Sequence, residues 1–147
     1  MIYPAEEFYL EEILDIESMV FSHPWTRNQL KNELKSGPNS ENWIYMEDQQ
    51  IVGYLLGWKI LDEFHLNNIA VHSNFQRKHI GSSLIQHVVG RLVNQDIHRI
   101  YLEVSSENIP ARELYDSMDF QQNGVRRDYY AKGDHAILYH LDLIENG

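Results

Sequence analysis

The sequence predicts a mixed α/β domain built on one central sheet flanked by about four helices. Two observations carry that expectation. Apolar residues recur at helical spacing in four stretches, and they alternate or run on in strand-like fashion in others, in the order βααβββαβαββ. The chain has 147 residues with 43% hydrophobic and 12% aromatic content, which suits one core of ordinary domain size. Residues 1–147 are therefore expected to form a single unit.

A short strand at Ile2 and Tyr3 leads into a first helix, in which Leu10, Ile13, Leu14, Val20 and Phe21 keep helical spacing. Thr26 and Gln29 form a capping box, since each side chain can satisfy a first-turn amide that has no helical partner. Trp25 and Leu30 occupy the positions of a hydrophobic staple around it. This predicts a second helix from near Arg27 to near Ser36-Gly37-Pro38.

Strand patterns follow over 43–46, 51–60 and 65–72, with Asp48-Gln49-Gln50 as the first turn. From Ile80, the positions Leu84, Ile85, Val88, Val89 and Leu92 mark a third helix. Residues 97–105 alternate, with Ile100, Leu102 and Val104 on one face and Tyr101, Glu103 and Ser105 on the other. Ala111, Leu114, Tyr115 and Met118 mark a fourth helix, capped near Asn108 with Pro110 in its first turn. Strands over 121–129 and 135–143 complete the pattern.

Charge narrows the function. Twelve Lys and Arg against 22 Asp and Glu give a net charge of −10. A negative surface repels phosphodiester backbones and anionic lipid, so nucleic acid and membranes are poor partners and a basic molecule is a better one. The same charge also serves plain solubility, so it does not identify a partner. The absence of cysteine excludes disulfides, thiolate metal sites and a cysteine nucleophile. None of the eight histidines has another four residues away, and no metal is expected. The Glu-rich start lacks a basic signal region, and no apolar run reaches the ~18 residues of a membrane span, so a cytoplasmic location is expected.

The segment from Asn68 to His72 reads as a strand, and Gln76-Arg77-Lys78-His79-Ile80-Gly81 runs from it into a helix. Free amides and the positive helix end then lie beside a strand end, which suits a pyrophosphate. Asn68-Ile69-Ala70-Val71, followed by Gln76-Arg77-x-x-Ile80-Gly81, resembles the acetyl-coenzyme A motif of the GCN5-related N-acetyltransferases (GNAT). Leu102-Glu103-Val104, Asn108, Leu114-Tyr115 and Arg126-Arg127-x-Tyr129-Tyr130 resemble, in order and spacing, the branch that acetylates the N-terminal alanine of a ribosomal protein. His23-Pro24-Trp25 resembles that branch's Phe-Pro-Trp.

The resemblance implies a GNAT fold with a mixed, mostly antiparallel sheet, and direct transfer of acetyl from acetyl-coenzyme A to a primary amine. It implies that Ile69, Ala70, Val71, Gln76, Arg77, Lys78, His79, Ile80, Gly81, Ser82, Asn108 and Tyr115 bind the cofactor. A backbone amide near Val71 is implied to polarise the thioester carbonyl. Two departures stand out: His79 and Asp119 occupy positions where the family usually has glycine. His and Asp are among the residues enriched at positive φ, so both are expected to keep a left-handed backbone.

The resemblance makes Glu103 the general base, acting through water. By local reading alone it is a solvated strand glutamate or an ion-pair partner. Tyr115 is implied as the acid that protonates the leaving thiolate, while its place on an apolar stripe also makes it a core tyrosine. Asn108 is expected to cap its helix, to hydrogen-bond coenzyme A, or to combine the two. Tyr129 and Tyr130 are substrate contacts or ordinary strand aromatics.

An α-amine of pKa ~8 needs about 1.4 kcal/mol to become neutral at pH 7, against about 4.6 for a lysine of pKa ~10.4. A modest base therefore suits a protein N-terminus, and by branch resemblance that of a ribosomal protein. A small polyamine, an antibiotic or a lysine side chain remains an alternative acceptor. An alternative of another class is that the chain is a coenzyme A-binding module without catalysis.

Overall fold

The computed structural model describes residues 1–35 and 37–143. Seven strands and four helices follow the predicted order: β1 (Ile2–Pro4), α1 (Leu10–Val20), α2 (Arg27–Leu34), β2 (Ser40–Glu47), β3 (Gln50–Ile60), β4 (Glu63–Val71), α3 (Ile80–Leu92), β5 (Arg99–Ser105), α4 (Ile109–Ser117), β6 (Gln121–Ala131) and β7 (Asp134–Asp142). The second helix stops at Leu34, short of the predicted end, because Lys35 is already extended at ψ 115°; Ser36 lies outside the described residues. β5 opens at Arg99 rather than Ile97, though Ile97 is buried in the core.

Thr26 accepts from the Gln29 amide, and Gln29 Oε1 accepts from the Thr26 amide at 2.8 Å. Leu30 is buried and Trp25 packs beside the same core cluster, consistent with a staple. Thr26→Ala is expected to lower stability by about 1 kcal/mol, read as a lower urea midpoint at unchanged m.

The sheet runs β1-β2-β3-β4-β5-β7-β6. All neighbours are antiparallel except β4 and β5, which pair in parallel over only three residues, Glu63–His65 with Arg99–Tyr101. Two steps further on, Leu56 of β3 faces Asn68 while Gly57 faces Leu66, so Asn67 is an extra residue in β4. Such a bulge bends its strand, and here it directs β4 away from β5. The sheet opens into a cleft at that point.

β3 fills both faces of the sheet. Val52 and Leu55 join the cluster covered by α3 and α4, while Ile51, Tyr54 and Leu56 join the one containing Ile13 and Ile16 of α1 and Leu30 and Leu34 of α2. Gly57 permits the approach of β4 beside the bulge, since a Cβ there would lie 2.3 Å from the Phe64 ring and 2.6 Å from the His65 carbonyl oxygen. Among the described residues no helix is long and apolar enough to cross a membrane.

Candidate active site

The anion cradle follows from local backbone shape. After β4 the chain makes one 3₁₀ turn, Ser73–Phe75, and enters α3 at Ile80. Arg77 and His79 both take left-handed backbone, with φ 65° and 63°. His79 N-caps α3 through its backbone only: its carbonyl accepts from Ser83 N at 3.0 Å and from the Ser82 and Ser83 hydroxyls at 3.0 and 2.7 Å. The amides of Ile80, Gly81 and Ser82 precede that first helical bond and are available to an anion. Gly81 lets α4 close in, because a Cβ there would sit 3.0 Å from Leu114 Cδ2. Asp119 is likewise left-handed at φ 67°. Both departures from glycine thus keep the backbone conformation that glycine favours.

A cavity of about 530 Å³ opens at this cradle. Ile69, Ala70 and Val71 of β4 form one wall, and Gln76, Arg77, His79, Ile80, Gly81 and Ser82 form the floor. Asn108 and Tyr115 close it from the α4 side. Lys78 stands off the wall, with its ammonium 5.2 Å over the Phe75 ring. Asn108 caps α4 through Oδ1, which accepts from Ala111 N at 3.3 Å. His72 N donates to Val52 O on β3, so the strand's alternation turns the Val71 N–H toward the open edge of β4.

A second cavity, of about 370 Å³, adjoins the first along Ile69, Asn108 and Tyr115. Its far side carries Glu103, Tyr130, His23 and Asp134, together with the buried Glu17. A third hollow continues past Glu103 and Tyr130 to Tyr129, Glu63 and Tyr101. The structure therefore brings Glu103 and Tyr115 to one cavity, and Tyr129 stands further out, 54% exposed. Glu103 points from the partly solvated face of β5 and pairs with Arg126 Nε at 3.3 Å.

Burial first, and then the neighbouring Tyr130 and Tyr139 phenols, hold the Tyr115 hydroxyl far above the ordinary phenol range. Its ring packs against Phe120 and Tyr139, with centroids 5.5 and 5.6 Å away. Tyr130 is pushed up to about 12, chiefly by burial and then by the Glu103 charge.

Sequence reasoning missed Glu17, Asp134 and the Asn67 bulge, and took Arg126 only as part of a motif. Glu17 had a readable signal: it falls one turn after Ile13, on the buried stripe of α1. Its carboxylate accepts from Tyr54 Oη, from Asn68 Nδ2 and, at 2.9 Å, from Trp25 N. Burial raises its pKa, while those three hydrogen bonds pull the other way. Glu17 thereby ties the α1–α2 connection to β4 across the second cavity. Among the described residues no cluster of three potential metal ligands occurs.

Residues 10–120 match the model of the acetyltransferase (GNAT) family. The chain is 31% identical to the ribosomal protein bS18-alanine N-acetyltransferase of Haemophilus ducreyi over 91% of both chains. It is 29% identical to the Escherichia coli K12 protein of the same name, over 81% of this chain and 79% of that one. The crystal structure of the Escherichia coli ribosomal-protein-S18-alanine N-acetyltransferase superposes with a TM-score of 0.90 at 27% identity, over 100% of this chain and 96% of that chain. The splayed sheet, the cradle at α3 and these similarities agree: the chain belongs to the acetyltransferase (GNAT) family and is an acetyl-coenzyme A-dependent N-acetyltransferase.

Proposed function

We propose that this enzyme acetylates the N-terminal α-amine of a protein, a basic ribosomal protein of the bS18 kind, in the cytoplasm. One observation carries the reading: the cofactor cavity opens at Ile69, Asn108 and Tyr115 into a second cavity bordered by carboxylates. An acceptor entering there as an ammonium is attracted by Glu103 and Asp134 and is led to the shared wall. The relatives that act on a ribosomal protein N-terminus, together with the net charge of −10, favour a basic polypeptide over a neutral small molecule.

The cradle fits a pyrophosphate, with first-turn amides at Ile80–Ser82, Arg77 on the floor, and Gly81 where a Cβ would crowd Leu114 Cδ2 at 3.0 Å. Bound acetyl-coenzyme A supplies a thioester carbonyl carbon for the amine to attack, with the C–N bond forming and the C–S bond breaking. The Val71 N–H polarises the carbonyl from the open edge of β4. Glu103, through a water, takes the ammonium proton that frees the amine; Tyr115 gives its hydroxyl proton to the departing sulfur and recovers one from the acylated nitrogen. Between ordinary values the transfer costs about 2 kcal/mol, and the burial that raises the Tyr115 phenol adds to that cost.

Thiol release measured with an alanine-start basic peptide, the same peptide blocked at its N-terminus, and spermidine tests the acceptor. Turnover of the free peptide alone is expected. Turnover of spermidine alone, or of the blocked peptide at an equal rate, overturns the N-terminal assignment.

A further inference from the structure

The second cavity holds a pair of groups that the proton transfers leave unused. His23 sits in the connection between α1 and α2, and Asp134 opens β7; Nε2 and Oδ2 approach to 3.9 Å. Each meets another element, Asp134 as a mostly buried carboxylate and His23 as a ring 51% exposed. The His23 ring lies parallel to Tyr130, with centroids 6.3 Å apart at an interplanar angle of 10°. Ser105 Oγ donates to Asp134 Oδ1, and the Asp134 side chain is only 13% exposed. The pair borders the cavity that reaches Ile69 and Tyr115, so it lies beside an acceptor amine entering from this side.

A gap of 3.9 Å is too wide for a direct hydrogen bond. It is suited to one oxygen between the two groups, about 2.8 Å from each, accepting from the imidazole N–H and donating to the carboxylate. A hydroxyl does both. An alkyl group in the same place covers two polar groups and replaces neither of their bonds to water. A site built around such groups discriminates against the acceptor that lacks the partner.

We propose that His23 and Asp134 form a subsite for the acceptor's first side chain that selects a hydroxyl, so that N-terminal serine or threonine is preferred over alanine or valine. The subsite rests on the N-terminal reading above. At this position the resembling branch carries the phenylalanine of its Phe-Pro-Trp, which offers no such bond.

The test uses five basic peptides differing only in the first residue: Ser, Ala, Thr, Val and Met. Threonine and valine have nearly the same shape, so that pair isolates the hydroxyl. In the unaltered enzyme kcat/KM is expected to favour Ser over Ala and Thr over Val by about tenfold, the worth of one net hydrogen bond. In His23→Phe both ratios are expected to fall to about one, and in His23→Gln, which keeps an N–H donor, to recover in part. Equal rates for Thr and Val in the unaltered enzyme overturn the subsite while leaving the N-terminal reading standing. Ratios that persist in His23→Phe also overturn it. Turnover of spermidine with none of the five peptides removes the N-terminal reading, and the subsite with it.

Discussion

Tyr115→Phe is expected to lower kcat by about 10²–10⁴-fold and to leave acetyl-coenzyme A binding nearly unchanged. The change removes one hydroxyl and keeps the ring against Phe120 and Tyr139, so the core loses little. The loss belongs in kcat because the proton is needed only as the C–S bond breaks. Glu103→Gln is expected to give a loss of similar size, since the amide cannot accept the amine proton. The raised phenol adds a second expectation. Tyr115 keeps its proton across the working pH range, so no alkaline fall in kcat up to pH ~10 originates there. Single-turnover rates and calorimetric titration with acetyl-coenzyme A check both variants. Rates like those of the unaltered enzyme remove that residue from the mechanism.

The other large effect concerns stability. Glu17→Ala is expected to cost about 2–5 kcal/mol, because the hydroxyl of Tyr54, the amide of Asn68 and the backbone N–H of Trp25 lose their shared acceptor. Two of those donors line the second cavity, proposed above as the acceptor's, so KM for the peptide is expected to rise more than KM for acetyl-coenzyme A. Glu17 also sets a pH dependence. Its folded pKa lies above the unfolded one, so the folded chain holds this proton more tightly. The stabilisation is fully present below the unfolded pKa and is lost as pH rises through the folded value. Glu17→Gln is expected to flatten the fall in urea midpoint over that window. A midpoint series with the same slope in both proteins removes Glu17 as its source.

The edge strand β6 shows how local reading and tertiary context divide the work. Tyr129 and Tyr130 are adjacent in sequence and equally plausible as substrate contacts. The tertiary structure separates them: Tyr130 lies under His23 at the second cavity, and Tyr129 stands further out beside Arg126. Arg126 was readable only as part of a motif; its place next to Glu103 required β7 to insert between β5 and β6.

The sequence by itself determined what depends on neighbours along the chain. Period-two and helical spacing set the order of eleven elements, and the Thr26–Gln29 pair set the start of α2. The strand–loop–helix run with Gly81 set the turn into α3 and its free first-turn amides, and His79 and Asp119 adopted the left-handed backbone that their residue types tolerate. These features involve contacts within a few residues, which local propensity governs. The tertiary structure alone decided where β4 leaves β5, because that depends on pairing Asn68 with Leu56 across the sheet and stranding Asn67 as the extra residue. It also decided that Glu17, His23, Glu103 and Asp134, spread over more than a hundred positions, border one cavity. No periodicity encodes such a meeting. It follows from chain crossings and from the free energy of burying both faces of β3.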